Sequence, residues 1–350
     1  MKVIFHGPAG IGDVSAQRAE ALDRIADLEV VRSPLQAPKN GWVRSIFRRL
    51  AWRARIPFDS SGENAQLERL ASLERPDAII VYNSRALRAS TLRRIRQKTG
   101  ATLVYIAPDD IIASHNRTRW LTATFPVWDI LFTSKTYNVP ELRGEGVRNP
   151  VLNENIFDPS VHRPMTKEEV GDEFESFDVV FVGTFEADRE VSLRKLAEAG
   201  LSVLVCGNAA GLLSGGWDRL KKAGVEVRPA AVDAEYTRAV HKGKVPLGFL
   251  RKINRDQITH RSIELPAMGR AMLAEKTVEH DAHFVDGAEY VGFSSDEEMI
   301  GKARALVANR DRRREIGKAA RARCLASGYD VDADMARILK HIWIFREAGQ

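Results

Sequence analysis

The chain has only two cysteines in 350 residues, Cys206 and Cys324. They lie far apart with no metal-ligand spacing, and Cys206 sits in an apolar run. Buried free thiols in a reducing compartment are therefore expected, and neither a disulfide framework nor a zinc site. No apolar run approaches the length that spans a bilayer, so no spanning helix is expected. The opening MKVIFHGPAG reads as a strand entering a glycine turn and lacks the longer apolar core and cleavage site of a signal peptide. The expected location is cytoplasmic. Zinc-finger spacing, an RNA-binding aromatic signature and a lysine-rich tail are all missing, which argues against nucleic acid. The net charge of +6 and pI near 9.3 still favour anionic partners, among them nucleotide sugars and anionic lipid surfaces.

What the chain does have is alternation. Its length suits two domains better than one core. Strand-like runs at Lys2–Phe5, Glu29–Val31, Ala78–Tyr82, Thr102–Ala107 and Asp129–Thr133 alternate with helical stretches at Val14–Ala26, Glu63–Leu73 and Ala86–Gln97. An irregular, proline-containing connector follows over 151–165. The alternation restarts with strands at Asp178–Gly183, Leu201–Cys206, Val225–Arg228 and Val245–Leu250. Helices are expected at Asp188–Ala199, Gly215–Ala223, Ala234–His241, Glu297–Ala308, Arg312–Leu325 and Val331–Arg346. The reading is an α/β protein with two Rossmann-like domains, 1–150 and 166–330, and a terminal helix over 331–350. No internal repeat is visible.

Parallel sheets bind ligands at the carboxyl ends of their strands, which selects a few turns. Gly7, Gly10 and Gly12 follow the first strand and let backbone amides approach a ligand, or simply form a tight turn. No Gly-Lys-Ser/Thr follows, so this is not a P-loop, and the third glycine of a dinucleotide fingerprint is missing. Asp109 and Asp110 end a strand, with His115 shortly after. Such carboxylates can accept a proton from a hydroxyl or can cap the next helix. Gly183-Thr184 leads to Arg189, whose guanidinium suits a pyrophosphate or pairs with Glu186 or Glu190. Gly207-Asn208 closes the next strand. In Asn254–Gly269 (NRDQITHRSIELPAMG), one helical face carries His260, Arg261 and Glu264 before Gly269 stops the helix. Arg261 and Glu264 can equally pair on a solvated surface.

This stretch closely resembles the segment of CgeB-type (spore-maturation-like) glycosyltransferases that reads N-R-D-x-x-T-x-R-S-x-E-x-P-A-x-G. The larger retaining nucleotide-sugar glycosyltransferases end their Glu-x7-Glu signature similarly, with Glu-x-x-Ala-x-Gly. Asp256 stands where their first Glu would be. The resemblance extends to Gly183-Thr184 with Asp188-Arg189, to Pro108-Asp109-Asp110, and to Glu275-x-x-x-Glu279-His280. It implies a GT-B fold whose two sheets face an interdomain cleft, with the terminal helix crossing back to the first domain. It also implies transfer of a sugar, of hexosyltransferase type, from a nucleoside-diphosphate-sugar donor to an acceptor hydroxyl on a glycan, lipid or protein. Glu264 would hold the ribose hydroxyls, and Arg189 with Arg261 the pyrophosphate. Asn254, Arg255, His260, Gly183, Thr184, Gly207, Asn208, Glu279 and His280 would complete the donor site, the last two either as sugar contacts or as braces. Asp109, Asp110, His115 and Arg189 would be the catalytic candidates, with Gly7, Gly10 and Gly12 at the acceptor or sugar. Asp330-Val331-Asp332 sits at a late helix start and not at a strand end, so metal-independent transfer without a cofactor is expected.

The stretch Trp42–Arg55 is basic and amphipathic with no acids. It suits an anionic membrane surface, the frame of an acceptor site, or a partly buried helix with a solvated basic face. Rival readings of the whole chain are an inactive nucleotide-sugar-binding scaffold, an epimerase or phosphorylase on the same fold, and a dinucleotide-dependent oxidoreductase.

Overall fold

The computed structural model describes residues 1–10, 12–35, 59, 61–208 and 217–348. Two compact units emerge: Met1–Glu154 with Ile253–Arg255 and Val331–Gln350, and Asn155–Lys252 with Asp256–Asp330. The stretch Trp42–Arg55 lies outside the described residues. No helix among the described residues is long and apolar enough to cross a membrane.

The first unit holds six strands: β1 (Lys2–Gly7), β2 (Glu29–Pro34), β3 (Ala78–Tyr82), β4 (Thr102–Ala107), β5 (Ile130–Thr133) and β6 (Pro150–Leu152). They run parallel in the order β2-β1-β3-β4-β5-β6. Every residue of β3 and β4 is buried, as expected of central strands covered on both faces, whereas edge strand β2 is mostly open. Pro150–Leu152 pairs with β5 as a sixth strand, so the start of the expected connector belongs to the sheet. A proline is tolerated there because β6 is an edge. The helix Val331–Ala348 belongs to this unit, where Asp334 pairs with the buried Arg18 of helix Val14–Asp23.

The second unit also holds six parallel strands: β7 (Phe177–Val182), β8 (Val203–Cys206), β9 (Glu226–Arg228), β10 (Gly243–Gly248), β11 (Leu273–Glu275) and β12 (Val291–Phe293). Their order is β12-β11-β10-β7-β8-β9. The chain therefore lays down β7, β8 and β9 in one direction, then returns to the other side of β7 for β10, β11 and β12. This is the Rossmann strand order, and its reversal point lies between β7 and β10. The three-residue strands β11 and β12 are too short to show a period in sequence. Leu247, Leu273 and Phe293, from β10, β11 and β12, pack with Met299 and Ala303 of helix Asp296–Ala308 in one of the unit's cores.

Candidate functional site

The carboxyl ends of β7 and β10, at the reversal point, place most of the expected donor residues in the second unit. Gly183 follows β7 and Gly207 follows β8, and their backbones lie in contact. A Cβ on Gly207 would overlap the Gly183 carbonyl oxygen, and a Cβ on Gly183 would come 2.6 Å from the Phe181 ring. Glycine is thus required at 207 by backbone packing. Thr184 and Asn208 are exposed at the rim, with the Asn208 carbonyl accepting from Phe185 N–H at 3.3 Å.

Arg189 stands in the first turn of helix Ala187–Glu198. Its Nη1 donates to the Thr184 carbonyl at 3.0 Å, Nη2 lies 3.9 Å from Glu186, and the guanidinium sits 5.6 Å from the Phe181 ring centroid. Nε is buried with no hydrogen-bond partner among the described residues. Burial lowers the Arg189 pKa, Glu186 opposes this, and Arg261 adds to it through like charge. Arg189 and Arg261 are thus near enough to feel one another's charge.

Glu264 is buried on helix His260–Ala267, with 7% of its surface exposed. That burial rules out a solvated surface pair with Arg261, whose Nη1 lies 3.7 Å away. Arg261 in turn lies 4.8 Å from the centroid of the buried Tyr236 ring, a cation–π contact. His162 Nδ1 accepts the Asp158 N–H at 2.9 Å, which leaves the ring proton on Nε2, 4.0 Å from Glu264. His260 Nδ1 accepts Ile156 N–H at 3.1 Å. Burial pushes the Glu264 carboxyl up, but His162, Arg261 and His260 outweigh it and hold the group below its usual range. The result is an ionised carboxylate kept in a buried place by cationic and polarised neighbours. Neither His162 nor Tyr236 was expected; both are ordinary residues in sequence, and only packing brings them to Glu264.

Two expected donor residues lie elsewhere. Asn254 and Arg255 belong to the first unit. Asn254 Oδ1 accepts from His115 Nε2 at 2.7 Å and from Asn116 at 3.3 Å, and its carbonyl accepts the Tyr137 hydroxyl at 2.8 Å. Arg255 Nε donates to Asp110 at 2.7 Å, and Nη1 and Nη2 donate to Glu141, each at 2.9 Å. All three guanidinium nitrogens of Arg255, expected in the donor site, are engaged within the first unit. Its φ of 52° is the strained turn that lets it reach.

The same geometry engages Asp110 on both oxygens. It is fully buried; one oxygen accepts from Ile112 N, Ala113 N and Asn138, and the other from Arg255. Burial raises its pKa, yet those bonds together hold it below the usual carboxylate value. The capping reading holds, with a turn in place of a helix. Asp109 is different: a third of its side chain is exposed, beside Arg85 at 3.2 Å and Asn254 at 3.4 Å. His115 is engaged by Asn254.

The glycine turn after β1 carries its own acid, since Asp13 accepts the Gly10 N–H at 2.8 Å. A Cβ on Gly10 would press on that carboxylate at 2.7 Å, and Gly12 has φ 77°. In the second unit, His280 is fully buried and occupied at both ring nitrogens: Nδ1 donates to the Glu275 carbonyl and Nε2 accepts the Ser262 hydroxyl, each at 2.7 Å. It braces helix His260–Ala267 through Ser262. Glu279 is buried on the helix Val278–His283.

A family model described as glycosyl transferase-like matches residues 189–340. That range holds Arg189, Arg261 and Glu264. No curated protein matches the chain. Among solved structures, the Anabaena HepE protein in complex with UDP and glucose is 15% identical with a TM-score of 0.66, covering 98% of this chain and 99% of that one. Sucrose-phosphate synthase from Thermosynechococcus elongatus is 14% identical with a TM-score of 0.70, covering 99% of this chain and 100% of that one. A glycosyltransferase from Rickettsia africae is 13% identical with a TM-score of 0.65, covering 98% of each chain. At these identities the likeness establishes the fold: two Rossmann-like domains of the GT-B type.

Proposed function

We propose that the protein is a glycosyltransferase that moves a sugar from a nucleoside-diphosphate-sugar donor to an acceptor hydroxyl. The observation that carries this reading is the buried, ionised Glu264 paired with Arg261 in the half of a Rossmann sheet whose β7 turn also carries Arg189. A carboxylate kept charged away from water is a strong acceptor for two vicinal hydroxyls, the pattern a ribose presents. Arg189 feels Arg261 as a like charge, and a diphosphate bound between them would relieve that repulsion and accept their donors. The same two cations would stabilise the diphosphate as it leaves, without a metal. The glycosyl transferase-like family match supports the reading. So does the presence of UDP and of UDP-glucose in structures of the Anabaena neighbour.

In this reading Asp109 is the carboxylate placed to take the acceptor's proton, because it alone of the strand-end pair is open. A place in the CgeB-like branch, a hexose as the transferred group, a cytoplasmic setting and a role in surface polysaccharide or glycoconjugate assembly extend the proposal.

The test is a thermal-shift panel of UDP, GDP, TDP and CMP conjugates on wild type and Glu264→Gln. One nucleotide should raise the wild-type melting temperature. Glu264→Gln should weaken its binding by about 10- to 100-fold while leaving the unliganded protein folded. A variant that melts early yet binds the nucleotide as tightly as wild type would make Glu264 structural and sink the proposal. Product analysis with a labelled donor separates transfer from epimerisation or phosphorolysis, and a chain that binds nucleotide but forms no product is the scaffold reading.

A further inference from the structure

Three helices cover one face of the first sheet. Leu67 of helix Glu63–Glu74, Leu92 of helix Ala89–Thr99 and Leu121 of helix Arg119–Thr124 pack with Val81 and Leu103 in one core. The outward sides of these helices carry Arg69, Arg93, Arg94, Lys98 and Arg119, all exposed. Helix Ala89–Thr99 holds four cations and no acid.

The acids within the three helices do not neutralise that side. Glu63 is buried against His6 at 3.0 Å, and Glu74 accepts from Lys2 at 2.7 Å. Glu68 serves two cations at once: Arg94 and Lys98 donate to it at 2.7 and 2.9 Å and hold its carboxyl down to about 2. Arg96 is taken by Asp129 at 2.7 Å. Arg69, Arg93 and Arg119 have no ion-pair partner among the described residues. The exposed Arg88 lies 4.3 Å from the centroid of the half-buried Trp120 ring, a cation–π contact that leaves its charge unmatched.

The other face of the sheet is mixed in charge. Tyr82 and Phe132 alternate with Val81 and Leu131 and so point away from the first core, toward Arg18 and His341. The helices there, Val14–Asp23 and Val331–Ala348, set Glu20, Asp23, Asp332 and Glu347 among their cations. The positive excess therefore belongs to one face.

Its form selects the partner. The cations are spread over three neighbouring helices, of which Ala89–Thr99 alone is about 16 Å long, so an extended anion meets them and a small one does not. Single-stranded nucleic acid stacks its bases on bare aromatic faces, and here Arg88 already covers the Trp120 ring. Leu73, 76% exposed, follows Arg69 by one helical turn and stands on the same side of its helix. An exposed leucine and a tryptophan set among arginines match a charged bilayer, whose phosphates attract the cations while the apolar groups enter the headgroup boundary.

We propose that the outer face of helices Glu63–Glu74, Ala89–Thr99 and Arg119–Thr124 is a docking surface for an anionic lipid bilayer. The proposal uses no residue of the donor site and does not rest on the glycosyltransferase reading.

The experiment is co-sedimentation of the full chain with vesicles of equal parts phosphatidylglycerol and phosphatidylcholine, and with phosphatidylcholine alone, at low and at high salt. Wild type should sediment with the anionic vesicles only and be released at high salt. Arg93→Glu combined with Arg119→Glu should weaken binding by at least about 25-fold, from about fivefold for each cation lost. Both side chains are exposed and unpaired, so the melting temperature should hold. Arg310→Glu combined with Arg314→Glu makes the same change of net charge at exposed positions of the second unit, and it should leave binding close to wild type. Failure of wild type to bind anionic vesicles overturns the proposal. So does binding that survives the Arg93 and Arg119 changes, which places the contact elsewhere, for instance on Trp42–Arg55. An equal loss in the Arg310 and Arg314 variant overturns it too, since net charge alone would then explain the binding. A mobility shift with a single-stranded oligonucleotide that the Arg93 and Arg119 changes abolish, without vesicle binding, assigns the face to nucleic acid instead.

Discussion

Arg255 donates through Nε to Asp110 at 2.7 Å, joining a residue of left-handed backbone conformation to a fully buried carboxylate in the first unit. The pair shows what residue type alone does not reveal: an arginine expected in the donor site and an aspartate read as either base or cap neutralise one another.

Asp110→Asn should therefore act on stability more than on chemistry. Losing the charge-assisted bond to Arg255 should cost about 2 kcal/mol in denaturant unfolding, with donor binding unchanged. The pH dependence has a definite sign. Because the native carboxyl binds its proton less tightly than an unfolded aspartate, its stabilisation is full above about pH 3.9. It is lost as pH falls through the lower native value, and Asp110→Asn should flatten the acid limb of the stability curve.

His241 and His280 give a second pH effect in a milder range. Burial pushes both down to about 4, and each ring nitrogen already has a partner. An unfolded histidine titrates near 6.5, so the stabilisation is complete above that value and declines as pH falls toward about 4. Melting temperature measured from pH 7 to pH 4 should fall, and His280→Gln should remove close to one proton from the uptake on unfolding.

Arg189→Lys keeps a positive charge but loses the planar fork. If Arg189 stabilises the departing diphosphate, kcat should fall about 100-fold with a smaller change in KM. A variant with wild-type kcat would show that the charge alone suffices.

Gly207→Ala tests the backbone approach of the two glycine turns. The added methyl overlaps the Gly183 carbonyl oxygen, which is backbone and cannot swing away. A loss of about 3 kcal/mol, read as a lowered unfolding midpoint, is expected without any ligand present.

The strands were legible because the signal is local. Ala78–Tyr82 and Thr102–Ala107 are unbroken apolar runs and appear as buried central strands with the same bounds. Gly269 ends its helix at φ 72°, which a residue without Cβ allows. Short strands such as Val291–Phe293 gave no warning, since three residues carry no period.

Periodicity, glycine placement and the order of apolar runs were enough to define two Rossmann-like halves, because each depends on residues a few positions apart, and Glu264 stood out through the resemblance of its stretch to a family motif. The partners of that carboxylate were not available in the same way. His162 lies 102 positions before it and Tyr236 lies 28 before it, and they meet only because helices Asp233–His241 and His260–Ala267 pack with the 155–162 segment. Whether a charged side chain faces a ligand or a neighbour is settled by such long-range packing. The same formal charge is open at Asp109 and saturated at Asp110.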